Sequence, residues 1–138
     1  MRIGKEFIWE MSHRLPFHKG GCQNIHGHTY KMMVEVEGIT DENGMIMDYY
    51  DLEAIISPMV KRMDHAFLVD ENDSTMLDFL KEQKFKHFVV PCTTTAENIA
   101  KYLLDVFVPE FRKFENLNKL RIRFHETFDV FAEIETDL

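Results

Sequence analysis

From Ile3 to Leu15 the chain alternates. Phe7, Trp9, Met11 and Leu15 fall on one side and Glu10, Ser12 and Arg14 on the other, which is the two-residue period of a half-buried strand. His13 lies on the apolar side of that strand. A second alternation begins at His26, where His28, Tyr30, Met32, Val34 and Val36 oppose Thr29, Lys31, Met33, Glu35 and Glu37. Pro16 to Ile25, with Pro16, Gly20 and Gly21, reads as a loop that carries Cys22 between the two strands. The pair can therefore fold as an antiparallel hairpin. Asp41 to Gly44 is a turn cluster, and Met45 to Asp48 is expected to return as a short strand.

The period then changes. Asp48, with Asp51 in the first turn, is expected to cap a helix whose stripe is Leu52, Ile55, Ile56, Met59, Val60 and Met63. Pro58 should kink it, and Asp64 and His65 close it. Asp73 to Lys84 is a weaker helical pattern, and Phe88 to Val90 could add a short extended piece. Thr94-Thr95-Ala96-Glu97 has capping-box spacing before a stripe of Ile99, Tyr102, Leu103, Val106 and Phe107, which Pro109 helps to end. Two more alternations follow, Leu120, Ile122 and Phe124 and then Val130, Ala132 and Ile134. The order predicts an α+β fold, a four-stranded antiparallel sheet with helices packed on one face. No internal repeat is visible.

Composition narrows the class. With 138 residues, 45% of them hydrophobic and 12 of them phenylalanine, there is enough apolar mass for one core, so residues 1–138 are read as a single domain. A net charge of −8 excludes a broad nucleic-acid-binding face while leaving room for a local anion pocket. Charges at Arg2, Lys5, Glu6 and Glu10 do not fit a signal peptide, and no apolar run approaches membrane-spanning length. The expectation is a cytoplasmic protein with no membrane partner, in which Cys22 and Cys92 stay reduced.

The chemistry concentrates at Cys22-Gln-Asn-Ile-His26-Gly-His28 together with His13. On an extended chain His26 and His28 project from the same side. Three neutral imidazoles leave the fourth position of a tetrahedral zinc open for water or substrate, the pattern of a catalytic site. Any one of these histidines alone would more often be a packed or polar residue. A cation stabilises a neighbouring thiolate, and a thiolate can take a proton from carbon, so Cys22 is a candidate base; a buried inert thiol is the alternative. Asp64-His65 offers a carboxylate that can fix an imidazole tautomer, or simply a solvated helix end. Glu126 follows an apolar strand, where burial would require a partner, although it could be a surface acid. Thr94 and Thr95 are explained as helix caps.

Taken in order, Ser12-His13-Arg14-Leu15, Cys22 with three residues before His26-Gly27-His28, Gly44-Met45-Ile46-Met47-Asp48, Met63-Asp64-His65, Thr95-Ala96-Glu97-Asn98 and Glu126-Thr127 resemble the 6-pyruvoyl-tetrahydropterin synthase family over nearly the whole chain. The three-residue gap after the cysteine is similar to the bacterial 6-carboxy-tetrahydropterin branch of queuosine (7-deazaguanine) biosynthesis; the pyruvoyl enzymes typically show a longer gap. The resemblance implies a tunnelling fold whose sheets join those of neighbouring subunits into a barrel, usually in a homohexamer. It implies Zn2+ on His13, His26 and His28, Cys22 as proton acceptor, Asp64, His65 and Glu126 as the relay, and Glu126 with Thr95 near the pterin ring. The implied activity is a lyase reaction that converts 7,8-dihydroneopterin triphosphate to 6-carboxy-5,6,7,8-tetrahydropterin, with loss of triphosphate and acetaldehyde. A pyruvoyl-forming enzyme and a non-catalytic zinc- or pterin-binding module stand as alternatives. Arg14, Lys19 and Lys31 are the candidate triphosphate partners. The chain departs from a compact family member in a long Asp70 to Pro91 segment, and Thr94 stands where a proline is often seen.

Overall fold

The computed structural model describes residues 1–138. The two N-terminal alternations are strands β1 (Arg2–His13) and β2 (His26–Gly38), paired antiparallel from Arg2 opposite Glu37 to His13 opposite His26. Helix α1 (Tyr49–Met63) follows, then β3 (Ala66–Asp70), α2 (Ser74–Glu82), β4 (His87–Val90), α3 (Ala96–Phe111), β5 (Leu117–His125) and β6 (Phe131–Asp137). The sheet has six strands in the order β4-β3-β1-β2-β5-β6.

The sheet therefore corrects the expectation of four strands. β1, β2, β5 and β6 form the antiparallel set, and β3 and β4 add two parallel strands beyond β1. Ala66 to Val69 are all buried, because β3 is covered on both faces and so carries no alternation. The Met45 to Asp48 segment is irregular rather than a strand. Asp41 Oδ1 accepts the Asn43 and Met45 amides, and Asn116 Nδ2 donates to the Ile46 carbonyl, so these backbone groups are satisfied without a ladder.

Helices form where expected. Asp48 caps α1 by accepting the Tyr50 amide at 2.8 Å, and Pro58 lies inside that helix without ending it. α3 runs two residues past Pro109, to Phe111. Its cap is Thr95, which accepts the Asn98 amide at 3.4 Å, whereas Thr94 is buried and engaged elsewhere. α1 and α3 place Leu52, Ile56, Leu103 and Phe107 on the sheet face that carries Trp9, Tyr30, Val34, Ile122 and Phe124. α2 covers the other face of β3, where Met76 and Leu80 pack with Phe67 and Val69 in a separate cluster.

The principal core lies directly beneath one end of the β1–β2 hairpin. Trp9, Tyr30 and Phe124 meet with ring centroids 5.2 to 6.2 Å apart. Burying each such ring is worth roughly 1.5–3 kcal/mol, against about 0.2–1 kcal/mol for an exposed ion pair of the kind that lines the opposite face, such as Arg123 with Glu133. The helix-covered face therefore carries the stability. At the far end a register shift at Gly38 brings the strand against Asn116, whose carbonyl oxygen would lie 2.4 Å from an added Cβ. Gly38→Ala should cost about 1–3 kcal/mol in urea denaturation through this backbone clash. Gly21→Ala, with nothing within 4 Å of the added carbon, should stay within about 0.5 kcal/mol of wild type.

Candidate metal centre

The hairpin register builds the centre. His13 stands directly across from His26, and His28 lies two residues further along β2, opposite Met11, so all three imidazoles share one face. Their ring centroids are 4.6, 4.9 and 5.5 Å apart, and His13 is fully buried. A ligand atom from each histidine and a carboxylate oxygen of Glu126 lie within 4.8 Å of one another.

The protein fixes which nitrogens face inward. His13 Nδ1 is 2.9 Å from the Thr94 carbonyl and His26 Nδ1 is 2.8 Å from the Asn24 carbonyl. A carbonyl only accepts, so both Nδ1 atoms carry the proton and both Nε2 atoms present a lone pair. The Nε2 atoms of His13, His26 and His28 are buried without a hydrogen-bond partner. Unpartnered acceptors that converge in this way are costly in an ordinary core and are what a divalent cation satisfies. The donor set therefore fits a metal ion, with three imidazoles and one carboxylate around it.

Electrostatics agree. Burial holds His28 below the usual histidine range, and the neighbouring His13 and His26 push the same way against Glu126. The Glu126 carboxyl is held below the usual carboxylate range, with hydrogen bonding toward His13 the largest cause and burial opposing it. The distances refine that picture. His28 Nε2 approaches Glu126 Oε1 to 3.1 Å, while His13 Nε2 stands 3.7 Å off, too far for a well-formed hydrogen bond, and its lone pair has no proton to give the carboxylate. Tyr30, wholly buried beside His28 and His13, has no partner for its hydroxyl and is hard to ionise because of burial, Glu126 and Cys22, in that order.

The remaining candidates divide. Cys22 sits half-buried in a 3-10 turn (Gly21–Gln23) of the loop between β1 and β2, and its carbonyl accepts the Leu15 amide at 2.7 Å. Asp64 and His65 form the expected pair, His65 Nδ1 lying 2.9 Å from Asp64 Oδ1, which also accepts the Glu10 amide at 3.1 Å. Their position differs from the imidazoles. His65 is 76% exposed and lines a hollow of about 410 Å³ with Glu10, Ser12 and Thr29, which alternate with the metal-facing residues and belong to the other face of the sheet. His28 borders that hollow too, and also a second one, of about 350 Å³, with Glu126, Lys31 and Phe128.

Among the cations, Lys31 lies 3.5 Å from Glu6 and Lys19 is exposed, but Arg14 is engaged by Asp73. Thr95 is occupied as the cap of α3. Two features went unread in the sequence. Thr94 orients His13 through a backbone carbonyl, which leaves no side-chain signal. Glu126 enters the metal-facing cluster itself, a proximity across strands that spacing could not reveal.

A family model described as 6-pyruvoyl tetrahydropterin synthase matches residues 2–137. The 6-carboxy-5,6,7,8-tetrahydropterin synthase of Haemophilus influenzae is 38% identical over 97% of this chain and 98% of its own. The protein of the same name from Aquifex aeolicus is 32% identical over 75% of this chain and 76% of its own. Among solved structures, 6-pyruvoyl tetrahydropterin synthase from Plasmodium vivax superposes with a TM-score of 0.78 at 16% identity, covering 100% of this chain and 99% of that one. The Caenorhabditis elegans enzyme does so with a TM-score of 0.71 at 23% identity, covering 99% and 95%. These two likenesses speak to the fold.

Metal analysis after dialysis should find one divalent ion per chain. His28→Ala should weaken its binding by more than about 100-fold, beyond the 10–100-fold typical of an outer-shell residue, and unchanged stoichiometry would remove His28 from the centre. Because His28 is held below its ordinary value of about 6.5, protons compete for it only at lower pH. Binding should be flat above that value and decline below it, and the stability that neutral His28 gives the metal-free fold should be lost over the same descending range.

Proposed function

The chain belongs to the 6-pyruvoyl tetrahydropterin synthase family, and from that membership we propose that it converts 7,8-dihydroneopterin triphosphate to 6-carboxy-5,6,7,8-tetrahydropterin, releasing triphosphate and acetaldehyde, as a lyase of queuosine (7-deazaguanine) biosynthesis. Residues 1–138 would act as one domain. The observation that carries the reading is the set of three buried, unpartnered Nε2 atoms converging beside Glu126. A relative bearing the carboxy-forming name, at 38% identity across almost the whole length, favours that product over the pyruvoyl one.

In this reading His13, His26 and His28 hold Zn2+, which supplies Lewis-acid polarisation when bound. Every other role belongs to side chains. Cys22, as thiolate, takes a proton from substrate carbon. Asp64 fixes the Nδ1 proton of His65, which leaves His65 Nε2 to accept and return a proton. Glu126, kept ionised, is suited to paired N–H donors of the pterin ring, with Thr95 nearby as a further contact. Lys31 shares a hollow with Glu126 and, with Lys19, is the candidate for the triphosphate. Arg14 leaves that role because Asp73 holds its guanidinium. Free Cys22 and Cys92 suit a reducing cytoplasm, and no helix is long and apolar enough to cross a membrane.

Assembly belongs to the same proposal. β6 has only β5 beside it, and β3 covers β1 only at Met11 and Ser12, so β6 and the Arg2 to Trp9 stretch of β1 both present backbone groups that a second copy can bond. Joined in that way, the sheets would close into a barrel and the protein would form a homohexamer. Sedimentation should give a species of six chains, and a monomer at micromolar concentration would contradict it.

The decisive assay incubates zinc-loaded protein with dihydroneopterin triphosphate and measures products. Acetaldehyde and the 6-carboxy pterin are expected; pyruvoyl-tetrahydropterin without acetaldehyde would overturn the assignment. Cys22→Ala should lower kcat by more than about 100-fold, within the range of a general base, with zinc retained. Full turnover in that variant would remove Cys22 as the base.

A further inference from the structure

Arg14 follows the buried His13 and lies just beyond the end of β1, so it has no ladder neighbour to hold it. A side-chain clamp takes that place. Arg14 Nε donates to Asp73 Oδ2 at 2.7 Å and Nη2 donates to Asp73 Oδ1 at 2.6 Å, a two-pronged contact in which the Asp73 side chain is only 7% exposed. The neighbouring backbone is tied on both sides. The Arg14 carbonyl accepts the Thr94 hydroxyl at 3.2 Å, the Thr94 carbonyl accepts His13 Nδ1, and the Leu15 amide donates to the Cys22 carbonyl.

Asp73 comes from the segment between β3 and β4, where it also caps α2 by accepting the Met76 amide at 3.2 Å. It is therefore fixed from two directions. One end of the clamp is a helix packed on its own apolar cluster, and the other is the three-residue hinge His13-Arg14-Leu15 from which the Cys22 loop departs. That loop has few anchors of its own. Phe17 to Gly21 are exposed, and its backbone hydrogen bonds are short-range apart from the Leu15–Cys22 bond.

We propose that Asp73 is a positioning residue for the reaction, holding Arg14 so that the β1 terminus presents His13 and the Cys22 loop in register with one another. The proposal rests on the function argued above. It gives the segment between β3 and β4 a task, since the start of its helix carries the carboxylate to the end of β1. The pair is ionised on both sides: Arg14 holds the Asp73 carboxyl below the usual range, and Asp73 raises Arg14 further.

Asp73→Asn separates this role from capping, because asparagine caps a helix about as well as aspartate but offers one acceptor oxygen and no charge to the guanidinium. Arg14→Lys is the second variant; it keeps the charge and loses the fork. In both, amide hydrogen exchange at Leu15 should quicken about tenfold, the scale of a lost charge-assisted hydrogen bond. In enzyme that turns over, kcat should fall about tenfold with KM within about twofold and zinc stoichiometry unchanged, a split expected when a placed group is misaligned. Unaltered Leu15 exchange in a folded variant overturns the proposal, as does faster exchange with unaltered kcat, which would make the clamp merely structural. If the wild-type protein shows no turnover, the functional reading fails by itself and the exchange result alone decides whether the clamp holds the loop.

Discussion

Everything at the candidate site depends on the register of one hairpin. Pairing His13 with His26 leaves residues 14–25 as the connection, so a single choice of register places two imidazoles together, puts His28 beside them and makes the Cys22 loop the hairpin's own turn. A slip of one residue would send His26 and His28 to the opposite face from His13. The long ladder and the Trp9, Tyr30 and Phe124 rings beneath it exclude that slip, because every core-facing residue of the slipped strand would exchange core for solvent. Core packing and site geometry are thus one constraint.

The price of that arrangement is electrostatic. An ordinary core would not leave three Nε2 atoms, the Tyr30 hydroxyl and Trp9 Nε1 buried without partners, each such group costing on the order of 1–3 kcal/mol. Glu126 does not relieve this for His13 and His26, because a carboxylate only accepts and their protons are already placed on Nδ1. A cation removes the conflict, since it accepts every lone pair at once. Binding and stability should therefore be strongly coupled here.

The strands with one wet face were legible because β1, β2 and β5 alternate, and α1 was legible because Asp48 and its apolar stripe agree. β3 escaped because burial on both faces erases the two-residue period, and with β3 went its pairing with β4 and the count of six strands. Met45 to Asp48 misled for the converse reason. Its Ile46 and Met47 are buried under a turn whose backbone is satisfied by Asp41 and Asn116, so apolar residues appear without a ladder. At the site, the three histidines were readable from spacing, while Thr94 acts through its carbonyl, which any residue could supply, and Glu126 reaches the cluster only because β5 pairs with β2.

The placement of Asp64 and His65 follows from how little chain is left to them. α1 ends at Met63 and β3 begins at Ala66, so two residues must turn the chain from a helix into a strand parallel to β1. His65 manages this with a left-handed backbone, φ 55°, which costs a non-glycine residue roughly 1 kcal/mol. The surroundings fix it several times over: its amide donates to the Glu10 carbonyl at 2.6 Å, Asp64 accepts the Glu10 amide, and Lys86 Nζ donates to the Asp64 carbonyl at 2.5 Å and the Lys61 carbonyl at 3.0 Å. Those bonds lock the turn to the edge of β1 and leave the imidazole pointing outward. The same short turn that makes the acid and the imidazole neighbours in sequence also puts them on the far side of the sheet from His13, His26 and His28.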